Sequence, residues 1–255
     1  VAELALPDFD SFDLSSMLAK FSTSAPLRAD VKRDVLARFP GKLLEFYGLT
    51  EGGCVSVLAA HEHPDKLHTI GKPGPGGDIR VIDEAGNEVP QGAVGELVGR
   101  SPTMMAGYYG REDLTRDYLW HSPEGDVYFR SGDMGRYDED GFLILSDRKK
   151  DMIISGGLNI YADDLEQVLL ADPDVSDAAV IGVPSEAWGE TPLGLVVLRA
   201  GATRTVDEIR SAANEKLGKS QRLSAVEARP DLPRSTIGKI LKRELRAPYW
   251  EGANA

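Results

Sequence analysis

Five consecutive charged residues, 147–151 (DRKKD), constrain the fold of this chain more than any other feature. Such a run cannot enter a hydrophobic core, because buried charges lose their hydration and are tolerated only when they are paired. Apolar segments flank it at residues 142–145 and 152–154. The strip therefore predicts a solvated connection between two separately packed bodies, residues 1–147 and residues 148–255.

Composition narrows the class of protein. The 255 residues can form one or two domains, and 42% hydrophobic with 27% charged residues is ordinary for a soluble globular chain. A net charge of −12 argues against a nucleic-acid partner and against binding to anionic lipid. No apolar run approaches the roughly 20 residues that span a bilayer. Cys54 is the single cysteine, which excludes an internal disulfide and favours a reducing compartment, the cytoplasm.

The first body opens with alternating helix and strand patterns, so it is predicted to be α/β up to about residue 70. One helix is expected over residues 12–21, where large apolar residues recur at helical spacing. Another is expected over residues 30–39, where a Pro-Gly pair follows. A strand over residues 43–47 then runs into a glycine turn at residues 48–53. A strand that ends in such a turn is a plausible edge for a ligand.

From about residue 70 to residue 147 the pattern changes to short strands, which predicts a small barrel-like or sandwich portion. Strands are expected over residues 79–82 and 95–98. A hairpin is predicted to reverse at residues 138–141 (DEDG), because Asp-Gly pairs favour tight turns between strands. Residues 131–133 (SGD) are predicted to form a turn that begins this hairpin.

The second body is predicted to be a small α+β domain. Thr205 and Glu208 form a capping box ahead of an amphipathic helix. The glycine pair Gly156-Gly157 marks a turn where the backbone can take positive φ or a ligand can approach closely. The other predicted elements are strands over residues 152–154, 177–183, 192–198 and 223–228 and helices over residues 162–170 and 240–246.

Two segments of the first body carry groups suited to a nucleotide. In residues 47–51 (YGLTE) a tyrosine face can stack on a base and a threonine hydroxyl can donate to a phosphate. Glu51 can hold Mg²⁺, which prefers hard oxygen ligands. Asp133 can accept hydrogen bonds from two vicinal ribose hydroxyls. The plain alternatives are a surface turn for the first segment and local turn chemistry for Asp133.

Three further groups carry chemistry that also has a plain alternative. Lys239 follows a glycine in a polar loop and offers a compact charge for a phosphate or a developing oxyanion, the alternative being an ordinary exposed lysine. The pair His61 and His63 suggests a metal site, but zinc takes three or four protein ligands, so a solvated loop is favoured. Cys54 has no evident neighbouring base, which argues against a nucleophile.

The order and spacing of these motifs together resemble the adenylate-forming superfamily: acyl-CoA synthetases, adenylation domains of peptide synthetases and beetle luciferases. The resemblance implies an α/β and β-barrel portion of the large domain, followed by a small, mobile α+β C-terminal domain. The matching strings, in order along nearly the whole chain, are residues 24–27 (SAPL), 47–51 (YGLTE), 95–97 (GEL), 128–135 (YFRSGDMG), 147–166 and 233–239 (PRSTIGK).

The resemblance also implies roles in the first body and at its end. Thr50 would touch the α-phosphate of ATP, and Glu51 would hold Mg²⁺. Asp133 and Arg148 would hold the ribose. The residues that would line the adenine are Ser24, Ala25, Pro26, Phe46, Tyr47 and Gly48.

In the second body, Lys150 matches the position about which the small domain of the family swings. Lys239 would approach the substrate carboxylate and the α-phosphate during adenylation. The residues that would border the channel for the pantetheine arm of coenzyme A are Gly156, Gly157 and Leu158.

The implied reaction has two steps: a carboxylic acid attacks ATP to give an acyl-adenylate and pyrophosphate, and a thiol then displaces AMP to give a thioester. The family's Ser/Thr/Gly-rich phosphate loop and most of its acyl pocket have no match here. The chain is therefore expected to be the C-terminal half of a longer enzyme, unable to adenylate alone.

The segment 156–160 (GGLNI) favours an ATP-dependent acid:CoA ligase. An adenylation domain that loads a carrier protein, a non-catalytic module of the same fold, and a homodimer stay open as alternatives.

Overall fold

A computed structural model describes residues 6, 8–25, 27–236 and 238–251, apart from the side chain of Asp147. The chain divides into two compact units, one extending to Leu145 and the other beginning at Ser146. Each unit has its own hydrophobic clusters, so each is described separately.

The first unit begins with a four-stranded mixed sheet in the order β1-β2-β3-β4. Helix α1 (Ala29–Arg38) connects β1 to β2, which run parallel, and its Val35 packs with Leu43 and Leu58 of the sheet. The predicted helix over residues 30–39 and strand over residues 43–47 are confirmed. The strand bounds are β1 (Ala19–Ser22), β2 (Lys42–Gly48), β3 (Val55–Ala59) and β4 (Lys72–Pro73).

The helix predicted over residues 12–21 is wrong. A short 3₁₀ turn, Phe9–Ser11, precedes the segment 12–21, and the last residues of that segment belong to strand β1. The apolar spacing did not mark a buried face, because Leu18 is 83% exposed and Phe21 is 70% exposed. Pairing with β2 decides the local structure instead, and sheet pairing of this kind overrides a weak helical pattern.

A five-stranded antiparallel sheet completes the first unit, in the order β5-β6-β8-β7 with β9 pairing to β8. The predicted strands at residues 79–82 and 95–98 are confirmed, as is the reversal at residues 138–141, where Phe142 N donates to Asp138 Oδ1 at 2.8 Å. A small helix, α2 (Glu112–Asp117), precedes β7. The strand bounds are β5 (Asp78–Ile82), β6 (Gly95–Arg100), β7 (Leu119–His121), β8 (Val127–Tyr137) and β9 (Leu143–Arg148).

Residues 131–133 do not form the turn that begins the hairpin; they lie within β8. The register shows why: Val98 pairs with Arg130 and Glu96 with Met134, so residues 131–133 bulge out opposite Leu97. Gly132 sits at the apex with φ +69°, a conformation that glycine adopts without strain. Bulges redirect side chains out of the regular alternation, and this one redirects Asp133.

Three of the five residues of the charged strip are exposed, as predicted, while Asp151 is half-buried. Arg148, Lys149 and Lys150 are exposed, and residues Lys149–Asp151 form one turn of 3₁₀ helix at the start of the second unit.

The second unit is a five-stranded sheet covered by helices on both faces. Strand β12 shows how the sequence achieves this: Ala178 and Val180 pack with α3 and α4, while Ala179 and Ile181 pack with the segment that ends in α5. This alternation is the period of two expected of a strand buried on both sides. The bounds are β10 (Ile153–Ser155), β11 (Leu158–Ile160), α3 (Ala162–Leu170), β12 (Val175–Ser185), β13 (Gly189–Leu198), α4 (Val206–Lys216), β14 (Ala225–Ala228) and α5 (Lys242–Trp250).

The elements predicted in this unit exist, with shifts at their ends. Helix α3 has the predicted bounds, and the capping box is formed in full by Thr205 and Glu208. The last helix starts two residues later than predicted and continues through Pro248 to Trp250. Within the described residues, no helix has both the length and the apolar character needed to cross a bilayer.

Candidate functional site

The candidate nucleotide site of the first unit is a sheet edge where two parallel strands end. Strands β1 and β2 pair in parallel, with Ser22 opposite Glu45. The segments that follow them, residues 23–25 and 49–51, therefore leave the sheet at the same edge. Ligands of open α/β sheets bind at the carboxyl ends of parallel strands. The topology thus brings together two motifs that are more than twenty residues apart in sequence.

The loop after β1 has an unusual backbone. Ser24 has φ +76°, and no other non-glycine residue in the described part of the chain has a positive φ. Ser24 is exposed and Ala25 is half-buried. Pro26, the third predicted adenine residue of this loop, lies outside the described residues. Exposed backbone at this edge suits a flat ligand that is recognised through main-chain groups.

Tyr47 and Asp133 form the central contact of the site. Tyr47 OH donates to Asp133 Oδ2 at 2.7 Å, which joins β2 to the bulge of β8. Burial first, and then the Asp133 carboxylate, raise the pKa of Tyr47 well above its usual value, so the phenol stays protonated as a donor. Asp133 is only 6% exposed, so its carboxylate is aimed by the protein rather than free in solvent.

The bulge itself is held by Ser131. Its hydroxyl donates to Leu97 O at 2.7 Å, and Asp133 N donates back to the same Oγ at 3.0 Å. This fixes the backbone on which the Asp133 carboxylate stands.

Cys54 packs in the core of this unit, fully buried. Burial first, and then the Asp133 charge, raise the pKa of the Cys54 thiol far above its ordinary value. A neutral, buried thiol is not a nucleophile, which agrees with the sequence-based interpretation.

Thr50 and Glu51 occupy the turn after β2. The turn closes through Gly52 N, which donates to Leu49 O at 3.0 Å, and leaves Thr50 exposed. Glu51 is half-buried, and Tyr108 OH donates to its Oε1 at 2.8 Å. Burial and then this carboxylate raise the pKa of Tyr108 to about 12, so its phenol remains a donor.

Aromatic and glycine positions complete the edge. The half-buried ring of Phe46 lies 5.9 Å, centroid to centroid, from the exposed ring of Phe21. Gly48, the last residue of β2, is exposed and offers backbone without a side chain. A planar base could lie against such an edge, although the adenine contacts stay a prediction.

The donor set at Glu51 fits Mg²⁺. Tyr108 holds one carboxylate oxygen, and no donor to the other, Oε2, is found among the described residues. No group of three His, Cys, Asp or Glu side chains in the described ranges could enclose a metal. Mg²⁺ suits a site of this kind, because it is held by one or two carboxylates together with substrate phosphates and water. Of the His61 and His63 pair, His61 has its Nδ1 3.2 Å from Leu43 O.

In the second unit, Lys239 lies at the end of a tight polar loop. Ser235 N donates to Lys239 O at 2.8 Å, and Arg234 bridges to Asp177 of β12 at 2.5 Å. Arg234 also donates to Gly238 O at 2.7 Å. The loop backbone is therefore braced while the Lys239 side chain is exposed to solvent.

The predicted coenzyme A residues form the β10–β11 hairpin. Gly156 and Gly157 are its two turn residues, with φ +57° and +80°, as a two-residue turn of this kind requires. Trp188 packs over the first of them: a Cβ on Gly156 would lie 2.8 Å from its ring. Leu158 is 55% exposed and Trp188 is 62% exposed, which leaves an apolar surface beside the turn.

The predicted hinge residue, Lys150, lies in the 3₁₀ turn at the start of this unit. Met152 N donates to Arg148 O at 3.1 Å across the turn. Arg246 of α5 reaches Lys150 O at 3.4 Å. Neither the hinge role of Lys150 nor the ribose role of Arg148 follows from this geometry, and both stay predictions.

Sequence reasoning missed three residues at the nucleotide edge. Tyr108 orients Glu51 from a position 57 residues away, which no local pattern indicates. Lys32 and Glu45 form a buried ion pair behind the edge. The only sequence signal for that pair was the position of Lys32, three residues before the core residue Val35 and therefore on the same face of α1.

Comparison with known proteins shows which protein family this chain matches. Two family models match: AMP-binding enzyme over residues 2–109, and AMP-binding enzyme C-terminal domain over residues 164–239. A long-chain-fatty-acid–CoA ligase from Yersinia pestis is 37% identical over 241 residues, which are 94% of this chain and 42% of that protein.

Two solved structures are similar over most of the chain. One is the amide bond synthetase McbA from Marinactinospora thermotolerans, with TM-score 0.87 and 33% identity over 96% of this chain and 49% of that one. The other is ATP-bound MatB from Rhodopseudomonas palustris, with TM-score 0.81 and 33% identity over 90% of this chain and 45% of that one. The chain thus spans just under half the length of the relatives it matches.

Proposed function

Because this chain belongs to the AMP-binding enzyme family, we propose that it carries part of the site of an ATP-dependent acid:CoA ligase. The observation that carries the proposal is the convergence at one sheet edge of Thr50, Glu51 and the Tyr47–Asp133 pair. The nucleotide half of the proposal is further supported by the similarity to a structure that holds ATP. The single cysteine favours action in the cytoplasm.

In the proposed complex, Asp133 accepts hydrogen bonds from the ribose hydroxyls. Tyr47 donates to Oδ2 of the carboxylate and limits its rotation, because Tyr47 is itself part of strand β2. Arg148 is proposed to assist at the ribose. The adenine is proposed to lie against the loop of Ser24 and Ala25 and against Phe46 and Gly48.

The phosphates are proposed to meet Thr50 and Glu51. The exposed Thr50 hydroxyl would donate to the α-phosphate, and Glu51, whose Oε1 accepts a hydrogen bond from Tyr108, would hold Mg²⁺. When bound, Mg²⁺ offsets the charge of the phosphates. Tyr108 orients Glu51 and, having a raised pKa, does not lose its proton at physiological pH.

Lys239 is proposed to act in the first step. A carboxylate that attacks a phosphate in line must overcome repulsion between two anions, and the lysine cation offsets it. The braced loop fixes the backbone of Lys239 and leaves its side chain free to reach a substrate.

In the second step a thiol displaces AMP from the acyl-adenylate. Gly156, Gly157 and Leu158 are proposed to border the path of the pantetheine arm of coenzyme A, along the apolar surface beside Trp188. Lys150 is proposed as the pivot at which the second unit changes position between the steps.

The relatives also contain a part that this chain does not match, and we propose that catalysis needs it. The test is therefore made on the whole polypeptide that carries these residues, with ATP, Mg²⁺, coenzyme A and a panel of carboxylic acids. We expect acid-dependent AMP and thioester formation, and a loss of adenylation by orders of magnitude in Lys239→Ala. Lys216→Ala, at an exposed end of α4, is the control. No AMP from any acid would overturn the proposal.

The ribose assignment has its own test in the same protein. Asp133→Asn is expected to weaken AMP binding by about tenfold, the equivalent of one charge-assisted hydrogen bond. Binding of 2′,3′-dideoxy-AMP, which lacks both hydroxyls, should change little. Equal losses for both nucleotides would place Asp133 in the structure of the bulge rather than at the ribose.

One comparison favours a second acceptor. The solved structure McbA is called an amide bond synthetase, and an amide bond forms when the acceptor of an acyl group is an amine. The assay therefore includes an arm with amines in place of coenzyme A. Amide formation that exceeds thioester formation would keep the adenylation step and replace the proposed acceptor.

A further inference from the structure

A buried ion pair lies directly behind the nucleotide edge. Lys32 of α1 and Glu45 of β2 are 2% and 3% exposed, and the Lys32 ammonium contacts Glu45 Oε2. The same ammonium donates to Leu67 O at 2.9 Å and to Thr69 O at 3.0 Å. The buried ammonium is therefore surrounded by three oxygen atoms, one for each of its three N–H groups.

The other oxygen of the Glu45 carboxylate, Oε1, binds the loop that follows β1. Glu45 Oε1 accepts a hydrogen bond from Leu27 N at 3.0 Å. Leu27 follows the loop of Ser24 and Ala25, whose backbone includes the positive φ at Ser24. Glu45 also stands two residues before Tyr47 on β2. One carboxylate thus ties the loop after β1 to the strand that carries Tyr47.

An apolar pair would fill this core at lower cost. Buried ion pairs are expensive to desolvate, and replacing them with hydrophobic residues is frequently neutral or stabilising. Desolvation lowers the pKa of Lys32, the expected direction for a buried ammonium. What the pair supplies and an apolar pair could not is a fixed acceptor for the Leu27 amide.

We propose that Glu45 is a positioning residue for nucleotide binding: held by Lys32, it fixes the loop of Ser24 and Ala25 against the edge of β2. This inference rests on the proposed nucleotide role of that edge. It assigns no contact between Glu45 and the ligand.

Two double variants distinguish the effect of the Glu45 oxygen that accepts from Leu27 N from the effect of the Lys32–Glu45 charges. Lys32→Met with Glu45→Gln removes the ion pair but keeps a side-chain oxygen for Leu27 N, whereas Lys32→Met with Glu45→Leu removes both. Leu27→Pro is the complementary change, because it deletes the donor and leaves the ion pair intact. Circular dichroism establishes that each variant is folded.

The first readout needs no ligand. Hydrogen exchange of the segment 23–28 is expected to be about tenfold faster in the Leu-containing double variant than in the Gln-containing one, with β2 and β3 unchanged. In Leu27→Pro, the amides of Ser24 and Ala25 should likewise exchange faster. Equal exchange of this segment in the two double variants would overturn the anchor.

The second readout is the AMP dissociation constant, measured by titration of the whole polypeptide that carries these residues. It is expected to be about tenfold higher for the Leu-containing variant than for the Gln-containing one. Equal constants would remove the positioning role even if the exchange rates differ. If the unaltered whole polypeptide binds no AMP, the proposed nucleotide edge fails, while the exchange of segment 23–28 still decides whether Glu45 anchors the loop.

Discussion

At the scale of single residues, the site depends on a contact between two side chains that are 86 positions apart. Tyr47 and Asp133 meet at 2.7 Å because β2 ends beside a bulge in β8. Either residue alone is unremarkable in sequence. Together they give a carboxylate that is buried and oriented, and a phenol that donates to it over the whole neutral range.

The raised pKa of Tyr47 leads to a prediction about pH. In the unfolded chain the phenol titrates near 10, but in the folded chain it keeps its proton to higher pH. The unfolded state therefore binds fewer protons above pH 10, and the contribution of Tyr47 to stability falls as pH rises. Tyr47→Phe should cost about 1–3 kcal/mol at pH 7, from the lost hydrogen bond to a carboxylate. By pH 11 that difference should shrink by about 1.4 kcal/mol.

The measurement is urea unfolding of both proteins at pH 7 and pH 11. Subtracting the unfolding free energies of the two proteins at each pH cancels the contributions of the other tyrosines, which both proteins share. Tyr109→Phe, at an exposed position, is expected to show no pH-dependent difference. A Tyr47→Phe difference that stays constant across this range would show that the phenol is not held protonated by the fold.

At the scale of elements, the β10–β11 hairpin lets two neighbouring glycines be compared. Both have positive φ, so alanine at either position carries the strain of a left-handed conformation, about 1–2 kcal/mol. Only Gly156 also faces the Trp188 ring, at 2.8 Å from a built Cβ, whereas nothing lies within 4 Å at Gly157. Gly156→Ala should therefore destabilise the chain more than Gly157→Ala and should shift the tryptophan emission.

Chemical unfolding and fluorescence together test this. In Gly157→Ala we expect the smaller loss and an unchanged emission maximum, because that turn position is open. Equal losses with identical spectra would mean that Trp188 does not rest on the turn in solution.

The element scale also shows what sequence could predict. Helix α3 and the capping box of α4 were predictable because their signals are local: an apolar stripe in one case, and Thr205 with Glu208 in the other. Strand β1 was not, because its pairing with β2 is decided by residues beyond the window that a pattern covers. The bulge at residues 131–133 depends on a register with β6, and a Gly-Asp pair reads equally well as a turn.

The candidate site divides in the same way. Motif residues such as Thr50, Glu51 and Lys239 are visible in sequence because the chemistry needs those residue types. The residues that support the site act through the fold: Tyr108 donates to Glu51, and Lys32 pairs with Glu45 behind the nucleotide edge. Their spacing in the sequence carries no signal of these contacts. Prediction from one sequence therefore finds groups that would touch a ligand more readily than groups that position them.

At the scale of the whole molecule, the chain divides into two compact units, and the charged strip lies at the start of the second. The first has cores around Leu58 and Leu97, and the second around Leu165 and Leu195. Each core is complete within its own unit. Within the charged strip, residues Lys149–Asp151 form one short 3₁₀ turn, and a single turn of this kind contributes little stability of its own.

This organisation predicts how trypsin cuts the chain. Arg148 ends β9 and Lys149 and Lys150 begin the 3₁₀ turn that follows it. All three are exposed and lie within five residues of the boundary between the units. Proteases cut where a short segment can open without unfolding a core. We therefore expect the first cleavage in this strip, leaving two fragments that resist further digestion because each keeps its own core. Mass spectrometry of a time course identifies the cut, and replacing the three residues with Gln should abolish it. One competing site is the exposed 3₁₀ turn Lys219–Gln221, and a first cut there would show that the second unit opens more readily than the charged strip.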